Sequence, residues 1–272
     1  MLTAFRNNAV FLTGASRGIG REMALQLARS GARLALMARS REDLERTADA
    51  CRECGALAIV VPGDVAVEED CAAAVLRARE ELGSIDTLIA NSGVSMLSLF
   101  EDMEDLAPLE QVMKVNYFGA VYCVYYALPS LVASRGRVVA VSSLVGLTGV
   151  PTRTGYAASK HAMRGFFDSL RIEIGRHGVS VTVAYPGFVD TGIRERAVGE
   201  GPGRPTGSHA GRVMLASECA TRILRGAARR RRDIVMTRKG RAGRWLKLVA
   251  PRMVDRVAAR SVGFGARNLS HR

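Results

Sequence analysis

Three side chains within eighteen residues carry the chemistry most open to reading: Ser143, Tyr156 and Lys160 in S-L-V-G-L-T-G-V-P-T-R-T-G-Y-A-A-S-K. Tyr156 and Lys160 are four residues apart, so on a helix their side chains share one face. An ammonium beside a phenol favours the phenolate and draws its pKa down from about 10, toward the range where a phenol serves as general acid or base. Ser143 then needs only to hydrogen-bond the oxygen that gains or loses the proton. Taken alone, Y-x-x-x-K is ordinary helix composition, so its meaning rests on what the rest of the chain brings beside it.

The N-terminal elements bring a nucleotide-type turn. Ala9 to Thr13 is apolar and β-prone, Thr13-Gly14-Ala15-Ser16-Arg17-Gly18-Ile19-Gly20 follows, and Met23, Ala24, Leu27 and Ala28 then recur at helical spacing. Strand, glycine turn and helix in that order place free N–H groups and a partial positive charge where a pyrophosphate would sit. Gly14, Gly18 and Gly20 are read as serving the cofactor, with Ser16, Arg17 and Ile19 contacting it between them. The next strand, Arg33 to Ala38, ends at Arg39 and Ser40, near the offset where an NAD site carries an acid for the ribose hydroxyls. No acid stands there. Arg39 and Arg17 together would bracket a 2′-phosphate, so NADP(H) is expected in preference to NAD(H).

With these residues in view the chain resembles the single-domain short-chain dehydrogenases/reductases. T-G-x-x-x-G-x-G matches Thr13 to Gly20, and the Asp-Val that contacts adenine in that family matches Asp64-Val65. The family's Asn-Asn-Ala-Gly is met only partly, by Asn91-Ser92-Gly93-Val94, which keeps Asn91 after a strand. The family's structural asparagine falls on Asn116, its serine on Ser143 (thirteen residues before the tyrosine, with Ser142 as neighbour) and its nicotinamide-side Pro-Gly and Thr on Pro186, Gly187 and Thr191, with Val189 between them. The resemblance implies that Tyr156 exchanges a proton with a carbonyl or alcohol oxygen, that Ser143 orients that oxygen, and that Lys160 lowers the phenol pKa while holding the nicotinamide ribose. It also implies that Asn116 fixes a water returning the proton, a buried amide satisfying a kinked helix being the structural alternative. The activity implied is hydride transfer between NADP(H) and a small-molecule carbonyl or alcohol, by a homodimer or homotetramer. A cofactor-binding sensor without catalysis is the alternative of another class, and it would not require all three catalytic side chains.

The elements that must position these residues alternate. Strands are predicted at Ala9 to Thr13, Arg33 to Ala38, Leu57 to Val61, Thr87 to Ala90, Arg137 to Val141, Val179 to Ala184 and Asp233 to Thr237, with helices between them. That pattern gives an α/β, Rossmann-like, doubly wound and mostly parallel seven-stranded sheet with helices on both faces, binding ligands at the carboxyl ends of its strands. The chain, at 272 residues with 48% hydrophobic and 24% charged, suits one such catalytic domain over 1–240, with 241–272 as a C-terminal extension. Val115 to Ser134 holds no charged residue and is about as long as a membrane span, but Asn116, Gly119, Pro129 and Ser130 interrupt it, and a core helix is expected.

Residues 222–272 hold sixteen Arg and Lys against Asp233 and Asp255, a net +14, while the first 221 residues sum to −1. The basic residues interleave with Trp245, Leu246, Leu248, Val249, Met253, Val254 and Val257, so the extension reads as a basic amphipathic helix bent at Pro251. It suits either an anionic membrane surface or packing on protein; nucleic acid is disfavoured because no recognition fold or stacking aromatics accompany the arginines. An odd count of five cysteines and no secretory segment suggest a cytoplasmic protein. Cys51-Arg52-Glu53-Cys54 has no second pair or histidine to complete a zinc site, and no metal is expected. Asp190 to Gly211, rich in Gly and Pro, reads as a substrate lid. With Met96, Leu144, Val145, Val150 and Phe188 it would form an apolar lining suited to a lipid-like carbonyl.

Overall fold

The computed structural model describes residues 2–193, 197–199, 213–262 and 264. Seven strands form one sheet: β1 (Ala9–Thr13), β2 (Arg33–Ala38), β3 (Ala58–Pro62), β4 (Thr87–Ala90), β5 (Arg137–Val141), β6 (Ser180–Tyr185) and, after the short pair β7 (Val189–Asp190) and β8 (Met214–Leu215), β9 (Asp233–Val235). Their order is β3-β2-β1-β4-β5-β6-β9 and every pairing is parallel. The parallel arrangement explains why these strands are apolar throughout rather than alternating, since helices cover both faces. Observed bounds differ from the expected ones by one residue at β3 and β6, and β9 ends two residues early. The β7–β8 pair, Val189 beside Met214 and Asp190 beside Leu215, is not foreshadowed by composition because two-residue strands carry no periodicity.

Alternate residues of each strand feed two cores. Phe11, Met37, Val61, Leu88 and Val138 point to one face with α3 (Glu68–Leu82), α5 (Gly119–Ala133) and α6 (Thr154–Gly175). Leu12, Leu36, Val60, Ile89 and Val139 point to the other with α1 (Gly18–Arg29), α2 (Arg41–Arg52) and α7 (Ala216–Ala228). The chain leaves β1 toward β2 and β3, then returns to lay β4 on β1's other side. The crevice at the carboxyl ends of β1 and β4 is therefore the switch point of this sheet.

The uncharged run lies in a helix long and apolar enough to cross a membrane, from α4 (Ala107–Met113) through a five-residue π turn at Lys114–Phe118 into α5. It packs on the sheet: Gly119 meets the Val65 carbonyl, and Cys123, Val124, Ala127 and Leu131 are buried in the core. Its outer face leaves Phe118 and Tyr125 exposed.

The basic extension forms two helices, α8 (Arg238–Val249) and α9 (Pro251–Ser261), with Pro251 opening the second as expected for a proline at a first helical position. The expected division at 240/241 thus falls inside α8. Trp245, Leu248 and Val249 are 67%, 74% and 80% exposed, and Met253 and Val257 stand outward beside the row Arg252, Arg256 and Arg260; only Val254 and Ala258 of this hairpin are buried.

Candidate active site

Backbone geometry builds the floor of the cleft. Gly14 and Gly18 lie at φ +66° and +53°, a region in which a side chain is strained. Gly20 is a glycine for a different reason from the one its spacing suggests: a Cβ there would stand 2.0 Å from the Gly14 carbonyl oxygen. Its task is close packing of helix on turn, so the glycines serve the fold as well as a ligand. The turn is tied to β4 by the Thr13 hydroxyl, which accepts hydrogen bonds from the Asn91 and Ser92 N–H groups at 3.0 Å each. Asn91 Nδ2 donates back to the Thr13 and Gly14 carbonyls at 3.1 and 3.2 Å.

These pieces open a cleft of about 440 Å³ lined by Gly14, Ser16, Arg17, Gly18, Ile19, Arg39, Ser40, Asp64, Val65 and Asn91 toward one end, and by Ser143, Tyr156, Lys160, Pro186, Gly187, Val189 and Thr191. Every residue expected to contact the cofactor lines it except Gly20, which is packed against the Gly14 carbonyl instead; Ala38, Gly63, Ser92, Gly93, Val94, Val115, Val141, Ser142 and Ile193 line it as well. Arg17 is paired with Asp43 at 3.0 Å and Arg39 is exposed; Ser40 caps α2 by accepting the Asp43 N–H. Asp64 accepts the Ala66 N–H and donates its own N–H to Asp70, which fixes the adenine-end loop. The shape, the N-terminus of α1 and the pair of arginines fit a dinucleotide phosphate backbone.

At the catalytic end α6 presents Tyr156 and Lys160 on one face, with Lys160 Nζ 5.9 Å from the Tyr156 ring centre. Both are buried. Lys160 Nζ donates to the Val141 carbonyl at 3.0 Å, and burial holds its pKa down to about 7. The Tyr156 phenol is pushed up by burial, and the groups that counter this are the Ser143 hydroxyl and Arg153, not Lys160. Desolvation acts on the lysine itself, and its Nζ is turned to the Val141 carbonyl. Ser142 and Ser143 separate cleanly, since Ser142 Oγ donates to the Lys160 carbonyl while Ser143 caps the short turn at Leu144–Gly146 from the cleft side.

Asn116 lies fully buried in the π turn. Its Oδ1 accepts the Val94 N–H at 2.8 Å, and Nδ2 donates to the Val94 carbonyl at 3.0 Å and to Ser159 Oγ at 2.9 Å. The side chain thus clasps the loop after β4 to α6, so the brace is what its amide does in this geometry. Arg153, at the N-cap of α6, stands with its Cζ 6.0 Å from the Tyr156 ring centre, a neighbour that the spacing argument passed over. Of the lining expected from sequence, Met96 packs on Tyr156 with Val145 against the same cluster, and Val198 joins through a bridge to Met96. Leu144 packs against Gly240, bringing the first turn of α8 beside the site. Most of the expected lid, 194–196 and 200–211, lies outside the described residues. Cys51 is buried with its thiol pushed up to about 11, whereas Cys54 is exposed, so the two do not present a paired site.

Comparison with known proteins agrees with this geometry. The family model for short chain dehydrogenases matches residues 8–200. An Arabidopsis thaliana protein named 11-beta-hydroxysteroid dehydrogenase-like 4A is 34% identical over 247 residues, covering 90% of this chain and 81% of that protein. A Dictyostelium discoideum dehydrogenase/reductase SDR family protein 7-like is 32% identical, covering 93% and 81%. The crystal structure of a short chain dehydrogenase/reductase from Burkholderia phymatum, in complex with NAD, superposes with a TM-score of 0.81 at 26% identity over 92% of this chain and 96% of that one. With the matched span, the parallel sheet order and the Ser143, Tyr156 and Lys160 constellation in one cleft, the chain belongs to the short-chain dehydrogenase/reductase family of oxidoreductases.

Proposed function

We propose that the chain is an NADP(H)-dependent oxidoreductase that interconverts a carbonyl and an alcohol on an apolar, lipid-like substrate. The observation that carries this reading is the convergence of Ser143, Tyr156 and Lys160 on a cleft that also holds the glycine turn. When bound, the dinucleotide supplies or accepts the hydride. In reduction the Tyr156 hydroxyl gives its proton to the substrate oxygen, and in oxidation the phenolate takes it back. Ser143 donates a hydrogen bond to the same oxygen, while Lys160 stands beside the phenol on the same helix face.

NADP(H) is favoured by Arg17, Arg39 and Ser40 at the end of the cleft where no carboxylate follows β2. The Burkholderia structure holds NAD, so this choice rests on the arginines of this chain. An apolar substrate is favoured by Val94, Met96, Met103, Val145 and Val198 around Tyr156. The names of the plant relatives make steroid-like ketones the first class to try. A panel of steroid, aliphatic and aromatic carbonyls, followed by loss of reduced-cofactor absorbance, tests both points. At least one apolar member should turn over with kcat/KM about tenfold or more higher for NADPH than for NADH. A preference for NADH overturns the cofactor assignment, and turnover confined to charged sugars overturns the substrate class.

We also propose that the outer face of α8 and α9 rests on an anionic membrane. Exposed Trp245, Leu248 and Val249 next to Arg241, Arg252 and Arg256 match a surface that is apolar below and negative above. Flotation with phosphatidylserine-containing vesicles should carry the full chain, and Trp245→Ser with Leu248→Ser should leave it behind. Equal recovery of both proteins in the soluble fraction removes the proposal.

A further inference from the structure

Arg153 is a buried guanidinium with no acidic partner among the described residues. It stands at the N-cap of α6, 7% exposed, and its one side-chain hydrogen bond among the described residues runs from Nη1 to Ser95 Oγ at 3.2 Å. Ser95 is itself buried and is anchored through its carbonyl to the Val198 N–H. The backbone delivers the arginine by an uncommon turn: Thr152 just before it is a buried, non-glycine residue at φ +66°, with its carbonyl accepting the Ser98 N–H and its hydroxyl without a partner among the described residues. Burying an unpaired guanidinium costs several kcal/mol, and Arg, unlike Lys, does not escape by losing its proton. Such an arrangement persists where the field of the charge is used.

The neighbour that would use it is Tyr156. Arg153 Cζ lies 6.0 Å from the Tyr156 ring centre, about as near as Lys160 Nζ at 5.9 Å. Among the described residues the other charged groups around the ring do not compete. Glu101, Asp102, Glu104 and Asp105 before α4, and Glu110 and Lys114 on α4 and the π turn, are all exposed, and His161 is hydrogen-bonded to the Ala157 carbonyl of its own helix. The segment 93–99, the turn at Leu144–Gly146 and residues 197–199 carry no charge. We propose that Arg153 is a positioning residue of the acid–base centre, the permanent cation that stabilises the Tyr156 phenolate, a role that rests on the oxidoreductase reading given above. It would complement Lys160, whose own proton is lost near neutrality in the buried site.

The test is the pH profile of kcat for alcohol oxidation, the direction that needs the phenolate, in the full chain and in Arg153→Met and Arg153→Lys. Removing a cation about 6 Å away should move the rising limb of the profile alkaline by one pH unit or more, a roughly tenfold or larger loss near neutrality that recovers at high pH. Arg153→Lys should restore most of the limb. A second readout needs no substrate: ultraviolet difference titration of tyrosinate, each protein corrected by its Tyr156→Phe counterpart, should show the same alkaline shift in Arg153→Met. If the titration shifts while no alcohol turns over, the electrostatic role stands and the enzymatic reading falls. An unshifted titration overturns the proposal, as does a rate loss equal at every pH.

Discussion

Two sets of cations in this molecule illustrate how burial decides what a charge does. Beside Tyr156, Lys160 and Arg153 are almost fully enclosed and have no carboxylate among their contacts in the described residues. In α8 and α9, Arg241, Arg252, Arg256 and Arg260 stand in solvent between apolar side chains. The first pair is costly to the fold and acts at short range through a dry medium. The second set is screened, and each member counts for little unless a surface of opposite charge gathers them together.

Substitution at matched pairs sharpens the contrast. Lys160 is held near 7 in the folded chain against 10.5 in a free lysine. Between those values the folded protein carries fewer protons than the unfolded one, so stability rises with pH across that window. Lys160→Met removes a burial cost on the order of a few kcal/mol, less about 1 kcal/mol for the lost bond to Val141. The cofactor-free protein should therefore melt several degrees higher at about pH 6, with the gain shrinking toward about pH 10. A gain that grows with pH would break the contrast. The corresponding Arg256→Met in the exposed row should alter stability by no more than about 0.5 kcal/mol at any pH.

Sequence made the cofactor side of the cleft legible because that side is built from backbone. A turn such as Thr13 to Gly20 admits few residue types, and the strand ahead of it and the helix behind it are continuous in the chain. The strands could be located to within a residue or two, since both faces of a parallel sheet demand apolar runs. Gly20 shows the limit of that reading: its type and place were legible, but its contact with the Gly14 carbonyl was not, because glycine spacing does not say which atom fills the room left by Cβ. The catalytic side depends on side chains meeting from far apart in sequence. Arg153 is unremarkable until the fold buries it beside Ser95 and Tyr156, and the sign of the pKa shift at Tyr156 depends on desolvation that no spacing records. Asn116 was legible by position, whereas its clasp of Val94 to Ser159 follows only from the packed π turn. In the basic extension, Pro251 and the apolar spacing marked a single amphipathic helix bent at a proline, while its division into α8 and α9 and the way α8 seats Gly240 on Leu144 came only from the fold.

The central claim is that one phenol, Tyr156, exchanges the proton with substrate while the rest of the cleft holds the dinucleotide. Single-site replacement Tyr156→Phe, with turnover and NADPH binding measured on the same preparation, tests it most directly. Turnover should fall about a thousandfold or more while NADPH affinity changes no more than about twofold. Near-normal turnover in that variant would contradict the account.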